Sequence, residues 1–260
     1  MSEKIITSWN VNSLNVREAH LADYLRQYPC DVIGLQEIKQ SDDAVRREPY
    51  GDLGFHLETH GQKTYNGVAL LSREPMQDIV RGIPGLDDTQ ARAIAATICG
   101  IRVINLYVPN GKAVGDEKYA YKLDWLAHLA NWLDDELARH AALVVMGDFN
   151  IAPEDIDVHD PAAWQDKILC SVPEREALQR LLGLGLRDAY RSVHPDSQQF
   201  SWWDYRMNGF RRNLGLRIDL NLVSAGLDIV DAGIHADVRA WERPSDHAPA
   251  WVAVKKADVL

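Results

Sequence analysis

The chain has 260 residues, of which 46% are hydrophobic, so it can bury a sizeable core in a single domain spanning residues 1–260. The formal net charge of −10 argues against a protein that coats nucleic acid by charge alone, although arginines on loops leave room for local binding. No signal-peptide pattern, no apolar run of transmembrane length and no paired arrangement of the three cysteines is present. We therefore expect a cytoplasmic protein with reduced cysteines and no membrane association.

Short apolar runs dominate the first half of the sequence, as is typical of strands. A helix is predicted around Val16 to Tyr28, because Leu21, Tyr24 and Leu25 fall on one face. Cys99-Gly100 resembles the turn of a hairpin. The strands predicted in this half are Lys4 to Trp9, Asp31 to Leu35, Gly67 to Ser72, Ala93 to Ile98 and Ile101 to Tyr107.

The second half begins with the longest predicted helix, from about Glu117 to His140. Its aromatic stripe includes Trp125 and Trp132, and the charged opposite face favours core packing over base stacking. A second helix is predicted near Pro173 to Leu184, with a proline in its first turn. The strands predicted here are Leu143 to Met146, Arg217 to Val223, Asp228 to His235 and Ala248 to Val254.

Many apolar strands give way abruptly to polar residues. Strands from distant parts of the chain can deliver such groups to one edge of a core, where a rigid scaffold holds catalytic residues. The set is rich in carboxylates and amides and contains no cysteine, so it suits Mg²⁺ or Mn²⁺ better than zinc, and it suits phosphodiester hydrolysis. Its members are Asn10, Asn12, Glu37, Tyr107, Asn110, Asp148, Asn150, Asp219, Asp246 and His247.

Each motif also has a purely structural interpretation. Glu37 follows an apolar strand and has the pattern of a solvated strand end as much as of a metal ligand. Asp148 and Asn150 fit a tight turn in which an aspartate side chain caps the backbone. Asp246 and His247 lie between two prolines, and a histidine at a strand edge is more often structural than catalytic. The motifs gain weight only in combination.

In combination, the motifs resemble the exonuclease III branch of the endonuclease/exonuclease/phosphatase superfamily, from the first predicted strand to the last. The resemblance implies an α/β fold, a four-layer αββα sandwich of two packed mixed β-sheets flanked by helices, with the site at one end of the sheets. The matching motifs are Trp9-Asn10-Val11-Asn12, Leu35-Gln36-Glu37, Asn66-Gly67-Val68-Ala69, Tyr107-Val108-Pro109-Asn110, Gly147-Asp148-Phe149-Asn150, Gly215-Leu216-Arg217-Ile218-Asp219 and Ser245-Asp246-His247.

The resemblance implies metal and water roles for five residues. Glu37 would be the principal metal ligand, with Asn10 supporting the metal environment and Asp246 nearby as a further ligand. Asp148 would orient and help deprotonate the attacking water, while Asn150 would hold Asp148 and the phosphate in register. The implied cofactor is Mg²⁺, for which Mn²⁺ can substitute.

The resemblance also implies contacts to the scissile phosphate. His247 would contact the phosphate, with Asp219 fixing the orientation of its ring. Tyr107 and Asn110 would donate hydrogen bonds to phosphoryl oxygens, and Asn12 lies beside the metal environment as a substrate-binding candidate.

The segment from Phe200 to Asp219 sets aromatic residues beside arginines, which suits a base or sugar pocket rimmed by phosphate contacts. The resemblance places Trp202, Leu216 and Ile218 in a pocket for an abasic sugar, with Arg206 nearby. The alternative is a buried aromatic cluster with solvated arginines, of which Trp203 would be a part. Arg92 and Lys112 are further candidates for phosphate contact, each with a merely solvated alternative.

The implied activity is removal of nucleotides from DNA 3′ ends, and the partner is DNA with a 3′ end or an abasic site. Leu169 adds bulk where the family approaches the extruded nucleotide, so we favour 3′ exonuclease over abasic-site endonuclease, with 3′ phosphatase also left open. A catalytically inactive nucleic-acid-binding regulator and a small-molecule or lipid phosphatase are less favoured. A monomer without an obligate protein partner is expected.

Overall fold

The computed structural model describes residues 3–257, in which two mixed six-stranded sheets carry the fold. The first sheet contains, in spatial order, β13 (Leu227–Ile234), β14 (Ala250–Lys256), β1 (Lys4–Asn10), β2 (Val32–Gln36), β4 (Val68–Ser72) and β3 (His56–His60). The second contains β5 (Gln77–Arg81), β6 (Ala93–Ile98), β7 (Ile101–Tyr107), β8 (Leu143–Asp148), β12 (Asp219–Val223) and β9 (Arg187–Asp188). A short ribbon pairs β10 (Trp202–Trp203) with β11 (Gly215–Leu216).

Each large sheet contains one parallel pair, and a helix makes the crossover that such a pair requires. Helix α1 (Leu14–Gln27) connects β1 to β2, and α3 (Glu117–Arg139) connects β7 to β8. The other helices in the described part of the chain are α2 (Glu48–Gly51), α4 (Pro161–Trp164), α5 (Val172–Leu182) and α6 (Ala189–Val193), besides three short 3₁₀ turns. None of the helices within residues 3–257 combines the length and apolar character needed to cross a bilayer.

Three apolar layers explain why the elements stack in this order. Ile6 and Val252 of the first sheet pack against Val103 of the second, which makes the central layer between the sheets. The outer face of the first sheet packs on α1 through residues such as Leu21. The outer face of the second packs on α3 and α5, and Trp125 of α3 is buried in this contact. The predicted four-layer αββα sandwich is confirmed.

Both parallel strand pairs end in residues with polar side chains. In the first sheet Asn10 pairs with Gln36, and in the second Tyr107 pairs with Asp148. Strand β12 runs antiparallel to β8, so Asp219 at its first residue lies opposite Asp148. Asp219, grouped with the polar residues at strand ends and third in the predicted strand, is the first residue of β12, because an antiparallel neighbour starts where β8 stops.

Most predicted elements are present with boundaries shifted by a few residues. The aromatic stripe of α3 is core, as expected, and Trp203 is buried. The predicted strand start at Arg217 is wrong, because β12 begins at Asp219. The Arg217 guanidinium is instead buried in ion pairs with Asp157 and Asp188, which holds this part of the chain out of the sheet.

Candidate active site

One amide joins the two sheets at the edge where their parallel strands end. Asn10, the last residue of β1, is fully buried. Its Nδ2 donates to Glu37 Oε1 at 2.9 Å and to Asp148 Oδ2 at 3.0 Å. Both N–H groups of the amide are therefore committed, and the two carboxylates are held in fixed relative positions.

Asp148 owes its position to a close approach of two strands. A side chain at Gly147 would collide with the Leu106 carbonyl oxygen, so glycine is required for β8 to lie this close to β7. The Asn150 N–H donates to Asp148 Oδ1 at 2.9 Å, which is the predicted capping turn. The structural and catalytic interpretations of this motif are thus compatible, because the turn fixes one carboxylate oxygen and directs the other toward Asn10.

The amides beyond this turn form a chain of hydrogen bonds. Asn150 Nδ2 donates to the Val108 carbonyl oxygen at 3.0 Å, and Asn110 Nδ2 donates to Asn150 Oδ1 at 2.9 Å. Asn12, Glu37 and Asn150 all have positive φ angles near 50°. Such backbone is uncommon outside glycine and persists where surrounding contacts over-determine it, as at functional sites.

His247 is buried between two carboxylates. Its Nδ1 lies 2.8 Å from Asp219 Oδ2, and its Nε2 lies 3.7 Å from Asp148 Oδ2. Burial disfavours the imidazolium, but the charges of Asp219 and Asp148 outweigh it and raise the pKa of His247 to about 10. The ring is therefore a cation near neutral pH, with Nε2 free to donate toward an anionic phosphate.

Burial and neighbouring charge act differently on the acids of this site. Burial raises the pKa of Asp148 to about 7, with the Asp219 carboxylate adding to the effect and His247 opposing it. Burial would also raise the pKa of Glu37, but the Lys39 ammonium and the Asn10 amide hold it below its usual range. Asp148 is therefore suited to accept a proton near neutral pH, while Glu37 stays ionised.

Tyr107 lies at the end of β7, in register with Asp148. Burial and the negative charges of Glu37 and Asp148 raise its pKa well above the usual value. The hydroxyl therefore stays protonated and is a hydrogen-bond donor. Arg92 covers the Tyr107 ring at 4.9 Å and is bonded to Gln90 at 2.8 Å, so it is packed beside the site.

A second chain of contacts leads from Glu37 to Trp202 in the short β10–β11 ribbon. Lys39 Nζ lies 2.8 Å from Glu37 Oε2 and donates to Asn12 Oδ1 at 2.6 Å. Asn12 Nδ2 donates to Asp246 Oδ1 at 2.9 Å, and Trp202 Nε1 donates to Asp246 Oδ2 at 3.0 Å. Lys39 was not among the site residues predicted from the sequence. Its position two residues after Glu37 is the one feature of the sequence that places it near the site.

The donor set fits a hard divalent cation. Glu37 provides an ionised carboxylate, and the ammonium of Lys39 beside it marks a position that favours positive charge. Asp148, Asp219 and His247 also lie close enough to share an ion. His247 is a poor ligand there, because its Nδ1 is committed to Asp219 and a protonated ring has no free lone pair. The geometry thus favours the Glu37 side for the metal, and Asp246 is linked to Glu37 by three successive contacts through Asn12 and Lys39.

Most of the predicted sugar-pocket residues form one apolar cluster. Leu169, Leu216 and Ile218 are buried together, and Trp202 packs against them, partly buried. The hydroxyl of Ser201, the residue before Trp202, ties this cluster to the site, because Ser201 Oγ accepts from the Asp219 N–H at 3.0 Å. The apolar cluster and the carboxylate site are therefore built on adjacent residues.

The two predicted surface cations engage local carboxylates. Lys112 Nζ lies 2.6 Å from Asp116 Oδ2, and its side chain is 66% exposed. Arg206 Nη2 lies 2.6 Å from Asp204 Oδ2, and its side chain is 86% exposed. Their contacts to phosphate stay predictions. Lys122 and Glu174, which were not predicted, are fully buried beneath the site. Lys122 falls on the apolar face of α3, a pattern that could have drawn attention to it.

Comparison with known sequences gives a consistent assignment. The chain matches the Endonuclease/Exonuclease/phosphatase family over residues 7–247. It is 42% identical to exodeoxyribonuclease III of Haemophilus influenzae, over 95% of this chain and 98% of that protein. It is 35% identical to an exodeoxyribonuclease of Bacillus subtilis, over 94% of this chain and 96% of that protein.

Solved structures agree with the sequence relatives. A 3′ phosphatase from Neisseria, NExo, bound to a product DNA hairpin, superposes with a TM-score of 0.94 at 47% identity, covering 98% of this chain and 99% of that one. An AP endonuclease from Archaeoglobus fulgidus superposes with a TM-score of 0.92 at 35% identity, covering 98% and 100%. The chain therefore belongs to the endonuclease/exonuclease/phosphatase family, in its exonuclease III and abasic-site endonuclease branch.

Proposed function

We infer that this protein is a metal-dependent DNA phosphodiesterase of the exonuclease III type, which removes nucleotides from DNA 3′ ends in DNA repair. The observation that carries the inference is the buried Asn10 amide, which holds Glu37 and Asp148 together beside the Asp219–His247 pair. The family is one of metal-dependent nucleases. We propose Mg²⁺ as the physiological ion, with Mn²⁺ able to substitute. Every candidate metal ligand other than His247 is a carboxylate or an amide, and both bind metal through oxygen.

The residues of the site divide the chemistry of phosphodiester hydrolysis among them. Asp148 orients the attacking water and accepts its proton, for which a raised pKa near 7 is suitable. His247, held as a cation by Asp219, donates from Nε2 to a phosphoryl oxygen. Tyr107 and Asn110 donate to the remaining oxygens. A divalent cation bound beside Glu37 would neutralise phosphoryl charge and stabilise the leaving oxygen.

This arrangement requires no covalent intermediate. Catalysis would come from positioning and from charges that are already fixed before the substrate arrives. The buried hydrogen bonds of Asn10 and Asn150 support that view, since they leave the carboxylates little freedom to reorient. The site residues are proposed in these roles together, and Arg92 would act by packing on Tyr107 at the edge of the site.

The closed apolar cluster favours 3′-end hydrolysis as the main activity. Leu169 is 4% exposed and packs with Leu216 and Ile218, where an abasic sugar extruded from a duplex would have to enter. A frayed 3′ terminal nucleotide needs less room. Abasic-site incision is the second candidate, favoured by the likeness to an AP endonuclease at 35% identity over 98% of the chain. Removal of a 3′ phosphate is consistent with the same site chemistry.

We further propose that residues 1–260 act as a single catalytic domain and that DNA is the partner. A monomer suffices, because the strands and strand-end loops of one chain supply every proposed catalytic group named above. A catalytically inactive regulator is disfavoured, because Glu37, Asp148, Asp219 and His247 are all present and mutually bonded or in contact.

A gel assay with 5′-labelled duplexes tests the proposal. One duplex has a recessed 3′ end, a second carries an internal abasic analogue, and a third ends in a 3′ phosphate. Each is incubated in Mg²⁺ and in chelator, with Asp148→Asn as the control for contaminating nucleases. We expect a metal-dependent ladder from the recessed 3′ end, reduced about 10³-fold in the variant.

The outcomes separate the candidates. A single cut at the abasic site without a ladder would assign the protein as an abasic-site endonuclease and refute the closed-pocket argument. Release of phosphate alone would assign it as a 3′ phosphatase. No cleavage of any of the three duplexes in Mg²⁺ or Mn²⁺ would refute the nuclease assignment, and release of phosphate from inositol phosphates would then support the small-molecule alternative.

A further inference from the structure

A fully buried ion pair lies directly beneath the proposed active site. Lys122, in the second turn of α3, and Glu174, in the first turn of α5, both have side chains with 0% exposure. Burying two charges is costly unless hydrogen bonds satisfy all of their donors and acceptors. The partners of this pair therefore indicate what it holds in place.

The lysine binds the backbone of two catalytic loops. Its Nζ donates to the carbonyl oxygen of Asn150 at 2.6 Å and to that of Asn110 at 3.3 Å, besides its bond to Glu174. All three ammonium protons are thus used. Gly111, at φ +90°, lies so close that an added Cβ would approach Lys122 Cδ at 3.2 Å and Ile168 Cδ1 at 2.9 Å. The loop that carries Asn110 therefore lies against the lysine.

The glutamate binds the loop that covers the apolar pocket. Glu174 Oε1 accepts from the Leu169 N–H at 3.1 Å, and Oε2 accepts from the Ser171 N–H at 3.1 Å and the Ser171 hydroxyl at 2.6 Å. The Leu169 carbonyl oxygen accepts from Ala152 N–H at 2.8 Å. Leu169 has a φ of +72°, which is strained for a branched side chain, so these contacts hold it where it would not otherwise stay.

We propose that the Lys122–Glu174 pair is a specificity-determining positioning unit. It fixes the Leu169 loop over the apolar pocket and sets the Asn110 and Asn150 carbonyl groups at the same time. One pair thus links the shape of the pocket to the geometry of the phosphate-binding amides. The proposal rests on the proposed function and extends it, because it assigns the preference for 3′ ends over abasic sites to groups that touch no substrate.

A purely structural role makes a different prediction from a positioning role. Removing one partner alone would leave the other charge buried without a partner. This would destabilise the fold whether the pair has a structural or a positioning role. The test therefore uses Lys122→Met combined with Glu174→Gln, which removes both charges together. The chain offers a matched control in Arg102 and Glu136, an equally buried pair between β7 and the far end of α3, with 2% exposure for each side chain. Its control variant is Arg102→Met combined with Glu136→Gln.

The measurements are kcat and KM for nucleotide release from a recessed 3′ end and for incision of an abasic duplex. All assays are run well below the lowest melting temperature among the unmodified protein and the two double variants. For the Lys122/Glu174 variant we expect kcat for 3′ release to fall at least about tenfold with KM changed less than about threefold, as misplacement of reacting groups predicts. The ratio of abasic incision to 3′ release should rise about tenfold. The control should change this ratio less than about twofold.

Equal changes of the ratio in both double variants, or an unchanged ratio in the Lys122/Glu174 variant, would overturn the proposal. If that variant does not fold, Glu174→Asp replaces it, because a shorter carboxylate keeps the charge but cannot reach both Lys122 and the Leu169 N–H. A raised ratio supports the proposal, and an unchanged one refutes it. Failure of the unmodified protein to cleave either substrate would instead refute the proposed function.

Discussion

Two regions of the active-site end differ in burial and in how many partners each side chain has. The floor consists of the proposed catalytic and metal-binding residues Asn10, Glu37, Asp148, Asp219 and His247, which lie at or beside strand ends and are buried or nearly so. The rim consists of Lys112 and Arg206, whose side chains are 66% and 86% exposed and bind carboxylates of their own loops. The floor is fixed before DNA arrives, whereas the rim is solvated and free to rearrange.

This difference in burial predicts which residues contribute most to the rate. A fixed charge in a water-poor site acts on the transition state without reorganising, whereas an exposed charge is screened by water and salt. The floor keeps this advantage at a cost in folding stability, since burial raises the pKa of Asp148 to about 7. Substitutions should therefore cost far more on the floor than on the rim.

The largest effect should follow Asp219→Asn. The amide keeps the shape but no longer favours the His247 imidazolium, so we expect kcat to fall about 10²- to 10⁴-fold. Asp219 helps raise the pKa of His247 to about 10 against the effect of burial. Without it the pKa falls, the ring loses its proton at a lower pH, and the activity that remains should decline at a lower alkaline pH than in the unmodified protein.

The check is a pH–rate profile from neutral to alkaline pH at saturating metal. Asp228→Asn makes the same chemical change at an exposed residue of β13, beside Lys255, and should leave the profile unchanged. An alkaline limb at the same pH in all three proteins would show that His247 does not act as a cation.

Metal binding should depend on Glu37. Clustered carboxylates repel one another without a cation, so adding Mg²⁺ should raise the melting temperature, by an amount equivalent to about 2.7 kcal/mol at a metal concentration 100 times the Kd. Glu37→Gln should require at least about tenfold more metal for the same shift. Thermal melts across a Mg²⁺ titration measure this. Glu58→Gln, at an exposed ion pair with Arg81, is the control, and a melting temperature indifferent to Mg²⁺ would contradict the prediction.

A smaller effect is expected at the boundary between floor and rim. Leu169→Gly removes a buried side chain from the apolar cluster and relaxes a backbone angle of +72° that glycine tolerates. Abasic incision should rise about three- to tenfold. Leu169→Ala separates the causes, because it opens the pocket without relieving the backbone. Unchanged incision in both variants, with folding intact, would refute a blocking role for Leu169.

The floor could be predicted from the sequence, because strand ends marked by abrupt polar residues are local signals. Glu37 and Asp148 each follow an apolar run, and the αββα arrangement follows from the resemblance. The direct bond from Asn10 to both carboxylates could not be predicted. It depends on how two sheets are aligned face to face, which no local pattern encodes.

Contacts between distant residues account for the other omissions. Lys122 and Glu174 are 52 positions apart, and only packing of α5 against α3 shows that they meet. Lys39 is a different case, because it lies two positions from Glu37 but lysine side chains are usually exposed, so the residue type did not mark it as part of a site. Asp219 was placed third in the predicted strand and is the first residue of β12, because the start of that strand is set by its neighbour β8.

The smallest effect is expected on the rim, where the sign of the change is more informative than its size. Arg206→Ala should raise KM less than about threefold with kcat unchanged, and the increase should vanish at high salt. Asp204 binds the Arg206 guanidinium and would compete for it with the predicted DNA phosphate contact, so Asp204→Ala should lower KM. Initial rates across a salt series measure both. If Asp204→Ala raises KM as Arg206→Ala does, the pair acts by ordering its loop, and the contrast between a solvated rim and a fixed floor fails at this residue.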